Sequence, residues 1–162
     1  MSAGPRIRAA VEGDRERIAR IWHEGWADGH AGRVPDELVR HRTAASYPPR
    51  VAARLGDAWV AESGGEVLGF VVVVGDELEQ VYVDAAARGT GVAGALLARA
   101  EELVAAGGHD LAWLAVVPGN ARARAFYERH GWADAGAFDY EAEVATGVVR
   151  VPCLRYEKRV GA

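Results

Sequence analysis

The most informative segment of this sequence is Val81–Gly94, which reads VYVDAAARGTGVAG. A β-branched, apolar run gives way to a loop that contains Gly89 and Gly91, and a helical pattern begins directly afterwards. The first N–H groups of a helix have no intrahelical partners and carry partial positive charge. Glycines let phosphate approach them closely, and Arg88 adds a forked donor. The segment therefore predicts a phosphate-binding loop, with a tight turn that binds nothing as the alternative.

Two well-known nucleotide motifs fit this segment poorly. Gly89–Gly94 has the GxGxxG spacing of dinucleotide-binding folds, but Asp84–Arg88 separate the glycines from the strand. The next predicted strand ends in Val117–Asn120, without the acidic residue that would bind a ribose. A Walker loop is excluded because no lysine follows the glycines, Lys158 being the only lysine of the chain.

A second motif lies one predicted strand further on, at Asn120–Trp132, which reads NARARAFYERHGW. Arg88–Ala93 matches the pattern Arg/Gln-x-x-Gly-x-Gly/Ala. Together the two segments resemble the acetyl-CoA loop and the Asn…Ala…Phe-Tyr…Gly-aromatic signature of the GNAT (GCN5-related) N-acetyltransferases. The resemblance runs from about Leu78 to Trp132. It implies an N-acetyltransferase with acetyl-CoA as co-substrate. Because no internal repeat, low-complexity segment or Gly/Ser linker divides the sequence, a single domain over residues 1–162 is expected.

The same resemblance implies which residues meet the cofactor. The strand before the loop binds the pantetheine arm through its backbone, and an N–H near Val83 stabilises the tetrahedral oxyanion. Tyr127 protonates the leaving thiolate, with packing beside Phe126 as its alternative role. Asn120 caps its helix, contacts the cofactor, or does both. The expected cofactor contacts are Val81, Tyr82, Val83, Arg88, Gly89, Gly91, Val92, Ala93, Gly94, Asn120 and Tyr127.

An acceptor amine with a pKa near ~10.4 is mostly protonated at neutral pH and needs a base before it attacks the thioester. Glu79 is the first candidate, because some members of the family place a glutamate on this strand. A solvent-facing strand residue is the alternative interpretation. The further candidates for this base are Asp84, His23 and His30.

The family places much of the acceptor pocket in the region that corresponds to Trp22–Leu55. There Trp26 and His30 are expected to contact the substrate, although ordinary helix packing explains the same residues. The expected acceptor is a small-molecule amine, which receives the acetyl group directly from acetyl-CoA in a ternary complex. A protein N-terminus is an alternative acceptor, and a catalytically inactive CoA-binding sensor is an alternative function.

Hydrophobic periodicity around these motifs predicts a strand, two helices, three hairpin-linked strands, a helix, a strand, a helix and two strands. Gly29 and Gly32 are expected to break the first helix, and Tyr47-Pro48-Pro49 to end the second helical region. Pro152 indicates an edge or a bulge. The predicted fold class is α/β (α+β), GNAT-like, with a mixed, mostly antiparallel sheet of about seven strands and about four helices.

The amino-acid composition excludes several classes of binding partner. The chain has 162 residues, is 26% charged and carries a formal net charge of −4, which excludes a broad basic surface for nucleic acid. Cys153 is the only cysteine, so neither a disulfide framework nor a cysteine-rich metal site is expected. Met1–Arg8 lacks the apolar core of a signal peptide, and Val67–Val74 is far shorter than the ~20 residues of a membrane span. A cytoplasmic, homodimeric enzyme with no membrane or metal partner is expected.

Overall fold

A computed structural model describes residues 4–161, so the extreme ends of the predicted domain and part of Met1–Arg8 lie outside the described residues. Seven strands form one sheet in the order β1-β2-β3-β4-β5-β7-β6. Every neighbouring pair is antiparallel except β4 and β5, which are parallel. The predicted mixed, mostly antiparallel sheet is confirmed. The strands are β1 Arg6–Ala9, β2 Ala58–Ser63, β3 Glu66–Val74, β4 Glu77–Val83, β5 Leu111–Val116, β6 Ala133–Val144 and β7 Gly147–Arg159.

In the part of the chain that the structure describes, five α-helices flank the sheet, one more than the sequence predicted. The extra helix is α3, which begins at the Tyr47-Pro48-Pro49 segment where a helical region was expected to end. That expectation is wrong because first-turn residues need no N–H donor, so proline fits there well. The helices are α1 Arg15–His30, α2 Asp36–His41, α3 Tyr47–Arg54, α4 Val92–Ala106 and α5 Ala121–Arg129.

Gly29 does not break α1, which continues to His30 and ends before Gly32. Gly29 is buried, and a Cβ there would lie 2.9 Å from Nδ2 of Asn120. Glycine therefore occupies a helical position at which α1 and the start of α5 approach too closely for a side chain.

Two hydrophobic clusters cover the two faces of the sheet. On one face α1, α2 and α3 pack through Ile18, Trp22, Leu38, Tyr47 and Val51 against Phe70 and Val72 of β3. On the other face α4 and α5 pack through Leu96, Leu97, Val104 and Tyr127 against Val71, Leu114 and Tyr156. The glycine loop before α4 and the region of α1 to α3 therefore belong to opposite sides of the sheet.

The parallel pair β4 and β5 separates almost immediately. The two strands pair only at Glu77 and Trp113, and the rest of β4 is paired on its β3 side alone. A gap opens between the strands in the middle of the sheet, and the candidate site lies in it.

Pro152 lies in β7, an interior strand of the sheet, but it pairs only with Asp139 of β6. Pairing of β7 with β5 begins at Leu154, so the missing N–H of Pro152 interrupts no ladder on that side. Within residues 4–161, no helix is both long enough and apolar enough to cross a membrane.

Candidate active site

The gap between β4 and β5 is the entrance to a cavity of about 1260 Å³. Its walls come from α1, α3, β4, the glycine loop, β5, α5 and the hairpin of β6 and β7. Ligand pockets usually measure about 300–1,000 Å³, so this cavity has room for more than one small substrate. It joins the glycine loop on one face of the sheet to the α1–α3 region on the other.

The glycine loop forms the anion-binding end of the cavity. Gly89 and Gly91 have left-handed φ angles of +77° and +87°, and no atom lies within 4 Å of a Cβ built on either. No side chain caps α4, and its first backbone bond runs from the Ala95 N–H to the Gly91 carbonyl. The preceding N–H groups therefore lack α-helical partners beside open space, which fits a pyrophosphate.

The individual loop residues divide into two groups. Arg88, Gly89, Gly91, Ala93 and Gly94 line the cavity, as expected for contacts with the cofactor. Val92 does not line it, because its side chain is buried against the sheet, so only its main chain is available to a ligand.

Arg88 is ion-paired rather than free. Its Nη2 donates to Oδ2 of Asp28 in α1 at 2.7 Å, and both side chains are exposed at the mouth of the cavity. The hydrogen bond from Arg88 is the main cause that lowers the pKa of Asp28. An anionic ligand at the loop must therefore share Arg88 with Asp28 or replace it.

The unpaired side of β4 offers a main-chain edge to the cavity. The N–H of Asp84 donates to the carbonyl of Leu68 in β3 at 2.8 Å. Because successive residues of a strand direct their N–H groups to opposite sides, Val81 and Val83 present theirs toward the gap. Tyr82 directs its main chain toward β3, so of the three expected backbone contacts only Val81 and Val83 have this geometry. The side chain of Tyr82 lines the cavity instead.

Tyr127 on α5 and Asn120 directly before that helix both line the cavity. Only 9% of Tyr127 is exposed, and burial holds its pKa well above the ordinary value, so its hydroxyl is protonated at neutral pH. Asn120 caps α5, because its Oδ1 accepts from the N–H of Ala123 at 3.2 Å. The cap is thereby established, and its contact with a cofactor remains a prediction.

A β-bulge brings two carboxylates of β4 to the cavity. Pairing with β3 shifts at Glu79, which has no partner residue, and Glu77 and Glu79 both line the cavity. Oε1 of Glu79 accepts from Nε of Arg54 at 2.8 Å. Oε2 of Glu77 accepts from the hydroxyl of Tyr140 at 2.8 Å, and burial raises the pKa of Glu77.

Trp26 and His30 also line the cavity, as expected for substrate contacts, with their rings stacked at 4.8 Å. Nδ1 of His30 lies 2.9 Å from the Trp26 carbonyl and therefore carries the proton. Burial lowers the pKa of His30 to about 4, so the ring is neutral at pH 7. The other two base candidates, His23 and Asp84, do not line the cavity, and Asp84 is paired with Arg17 at 3.0 Å.

Sequence reasoning missed the arginines of this region. Arg42, Arg50 and Arg54 all line the cavity at the end covered by α2 and α3. Arg50 and Arg54 are one helical turn apart, a signal that becomes visible only if Pro48-Pro49 is interpreted as a helix start.

Cys153 lies in the cavity wall, and burial raises its pKa to about 11, so it is a protonated thiol at pH 7. Among residues 4–161, no group of three or more His, Cys, Asp or Glu side chains is arranged to hold a metal ion.

Comparisons with known proteins agree with this geometry. The model of the acetyltransferase (GNAT) family matches residues 17–132, which is more than half of the chain. The chain therefore belongs to the GNAT family of acetyltransferases, and the family, fold and enzyme class implied by the sequence resemblance are confirmed. No curated protein sequence matches with significance.

Solved structures show the same fold at low sequence identity. A GCN5-related N-acetyltransferase of Rhodopseudomonas palustris superposes with a TM-score of 0.76 at 18% identity, over 98% of both chains. A ribosomal-protein-alanine N-acetyltransferase of Brucella melitensis superposes with a TM-score of 0.70 at 23% identity, over 95% of this chain and 99% of its own. A PaiA N-acetyltransferase of Thermoplasma acidophilum in complex with coenzyme A superposes with a TM-score of 0.65 at 18% identity, over 97% of this chain and 99% of its own.

Proposed function

We propose that this chain, as a single domain over residues 1–162, transfers an acetyl group from acetyl-CoA directly to the amine of a small molecule. The observation that carries this proposal is one continuous cavity that crosses the sheet, with the glycine loop at one end and α2 and α3 at the other. Both substrates fit in it together, and holding two reactants in alignment is worth about 7–11 kcal/mol of the barrier.

Acetyl-CoA supplies the activated thioester and a thiol leaving group. Family membership supports it as co-substrate, and the open space above Gly89 and Gly91 fits its pyrophosphate. Arg88 contributes a forked donor once it turns from Asp28. The unpaired main chain of Val81 and Val83 receives the amides of the pantetheine arm, and the Val83 N–H stabilises the oxyanion.

Tyr127 is the proposed general acid for the leaving sulfur. Burial keeps its hydroxyl protonated, and the hydroxyl borders the cavity that joins the two substrates. A covalent route through Cys153 is disfavoured because the raised pKa leaves little thiolate at neutral pH. Direct attack of the amine is therefore the route that these side chains support.

Glu79 is the proposed base for the acceptor ammonium. Glu79 lines the cavity, and its hydrogen bond with Arg54 orients its carboxylate. A carboxylate at this position also attracts the cationic form of the amine, which then loses its proton in the site.

A hydrogen bond across the acceptor end of the cavity favours a small acceptor. Nη2 of Arg42, which follows α2, donates to the carbonyl of Glu143 in β6 at 2.8 Å. This contact bridges the end of the cavity between two elements far apart in the chain, and an extended peptide would have to displace it.

Release of free thiol from acetyl-CoA tests the proposal. The purified chain is incubated with acetyl-CoA and a panel of amino acids, polyamines, aminoglycosides and a peptide with a free N-terminus. We expect turnover with at least one small amine and none with the peptide. Tight acetyl-CoA binding without thiol release from any amine would support a sensor instead. We also propose that the protein is cytoplasmic and forms a homodimer. Light scattering of the purified chain tests whether it is a homodimer.

A further inference from the structure

Two arginines at the acceptor end are buried without a counter-ion. Arg42 is only 8% exposed and Arg50 is half-buried, and neither forms an ion pair with any carboxylate among residues 4–161. Nearby Arg54 pairs with Glu79. A buried charge without a partner is costly, so a buried and a half-buried guanidinium without ion pairs at the same end of the cavity indicate that something else completes the site.

The unused donors around these arginines form one cluster. In the part of the chain that the structure describes, four buried side-chain polar atoms have no hydrogen-bond partner: Nε of Arg42, Nη1 of Arg50, the Tyr47 hydroxyl and Nε1 of Trp22. The guanidinium of Arg50 lies 4.3 Å from the centre of the Trp22 ring and 5.0 Å from that of Tyr47. All four atoms can donate, and buried donors are nearly always satisfied in folded proteins.

The electrostatics of the cluster call for an anion. Burial lowers the pKa of Arg42 to about 10, and the positive charge of Arg50 lowers it further. Burial also lowers the pKa of Arg50. Both remain cationic at pH 7. An oxyanion between them would restore the ionic partner that the protein does not provide.

The cluster belongs to the acceptor and not to the phosphates of CoA. Arg50 packs with Trp22 and Tyr47 on the face of the sheet covered by α1 to α3, whereas α4 and its glycine loop cover the opposite face. The ring of Tyr82 belongs to the same face as Arg50, because it lies 6.0 Å from the ring of Phe70 and packs against the cluster of α1 to α3.

We propose that the acceptor is an amino-acid-like molecule, an amine that carries a carboxylate or phosphonate, and that Arg42 and Arg50 bind this oxyanion. The inference rests on the proposed function. With the oxyanion on the arginines, Glu79 on the adjoining wall faces the amine of the same molecule. Purely cationic amines such as polyamines would instead bring positive charge to two buried guanidiniums.

Matched acceptors test this on the unmodified protein. Each set comprises an α-amino acid, its aminophosphonic acid and the amine that lacks any oxyanion, all with the same side chain. We expect kcat/KM for the best oxyanion-bearing member to exceed that of the simple amine by about 30-fold or more. The two oxyanions distinguish carboxylate from phosphonate. Equal or better turnover of the simple amines would overturn the proposal.

Arg50→Gln and Arg42→Gln then locate the oxyanion site, with Arg40→Gln on the exposed side of α2 as the matched control. We expect either variant to remove most of the preference for the oxyanion, measured as the ratio of kcat/KM between the oxyanion-bearing acceptor and the simple amine, whereas Arg40→Gln should preserve this ratio. A preference that survives in both folded variants, or an equal loss for all acceptors, would contradict the assignment.

Binding without turnover separates this inference from the proposed function. Should no acceptor release thiol, the melting temperature with and without the amino acids still reports on the site. If the amino acids raise the melting temperature of the unmodified protein, and Arg50→Gln or Arg42→Gln abolishes this rise, the oxyanion site is supported in a non-catalytic protein. No rise and no turnover with any oxyanion-bearing acceptor would reject the inference.

Discussion

The two ends of the cavity bind charge by different means. At the cofactor end, backbone N–H groups before α4 and one exposed arginine, Arg88, face an open space beside two left-handed glycines. At the acceptor end, the donors are the side chains of Arg42, directly after α2, and of Arg50 in α3, which form no ion pair with a carboxylate among residues 4–161. The first end uses main-chain geometry, which a short contiguous motif encodes. The second depends on how three distant segments pack.

This difference predicts how each end responds to substitution. The cofactor end is sensitive to backbone conformation and to added negative charge, and it tolerates loss of individual side chains. The acceptor end depends on particular side chains, so conservative changes there alter specificity without altering the affinity for acetyl-CoA.

Gly91→Glu has the largest expected effect. A non-glycine residue at φ +87° adds left-handed strain of about 1–2 kcal/mol. Its carboxylate would also face the pyrophosphate, so we expect Kd for acetyl-CoA to rise at least about 100-fold by calorimetry. Gly64→Glu is the matched control, because Gly64 also has positive φ, at +60°, but lies in the hairpin between β2 and β3. Unchanged affinity in Gly91→Glu would contradict the loop assignment.

Tyr127→Phe tests the proposed general acid, which lies between the cofactor end and the acceptor end of the cavity. Removing a general acid lowers kcat by about 100-fold or more, while the phenyl ring preserves packing against Trp132 and Tyr156. Kd for acetyl-CoA and the melting temperature should stay close to the unmodified values. Full turnover in this variant would exclude Tyr127 as the acid and leave it with a packing role.

Sequence reasoning predicted the cofactor end well because its signals are local. The strand, the two glycines, the start of α4 at Val92 and the cap at Asn120 all lie within motifs of about a dozen residues, and the structure has each element there. Positive φ and free N–H groups follow directly from glycines at a helix start.

The acceptor end was harder to predict because packing defines it. The bond from Arg42 to Glu143 joins residues that are 101 positions apart, and no local pattern reports it. Helix α3 was missed because Pro48-Pro49 suggested an end where it marks a beginning. With α3 unrecognised, the one-turn spacing of Arg50 and Arg54 had no structural meaning.

Glu79→Gln tests the proposed base at the acceptor end, with an expected loss of about tenfold in kcat/KM at pH 7. The loss should shrink as pH approaches ~10, because the free amine then loses its proton without help. Glutamine retains a side-chain oxygen for Arg54, so the fold should be unaffected. Glu77→Gln is the matched comparison on the same strand. A pH-dependent loss in Glu77→Gln alone would transfer the base role to Glu77.

Asp28→Asn has the smallest expected effect, and in the opposite direction. In the present structure Asp28 holds Arg88 at 2.7 Å, so a pyrophosphate must compete with a carboxylate for the same guanidinium. Exposed ion pairs contribute only about 0–1 kcal/mol, so removing this competitor should lower Kd for acetyl-CoA by up to about fivefold.

The gain in affinity for acetyl-CoA in Asp28→Asn should diminish as the salt concentration rises, because Asp28 and Arg88 are both exposed and salt screens their interaction. Asp36→Asn, at the exposed start of α2, is the matched control for loss of one negative charge. Tighter binding specific to Asp28→Asn would show that the ligand competes with Asp28 for Arg88. Weaker binding would mean instead that Asp28 orients Arg88 toward the loop, so the sign of a small effect decides how α1 and the cofactor end are coupled.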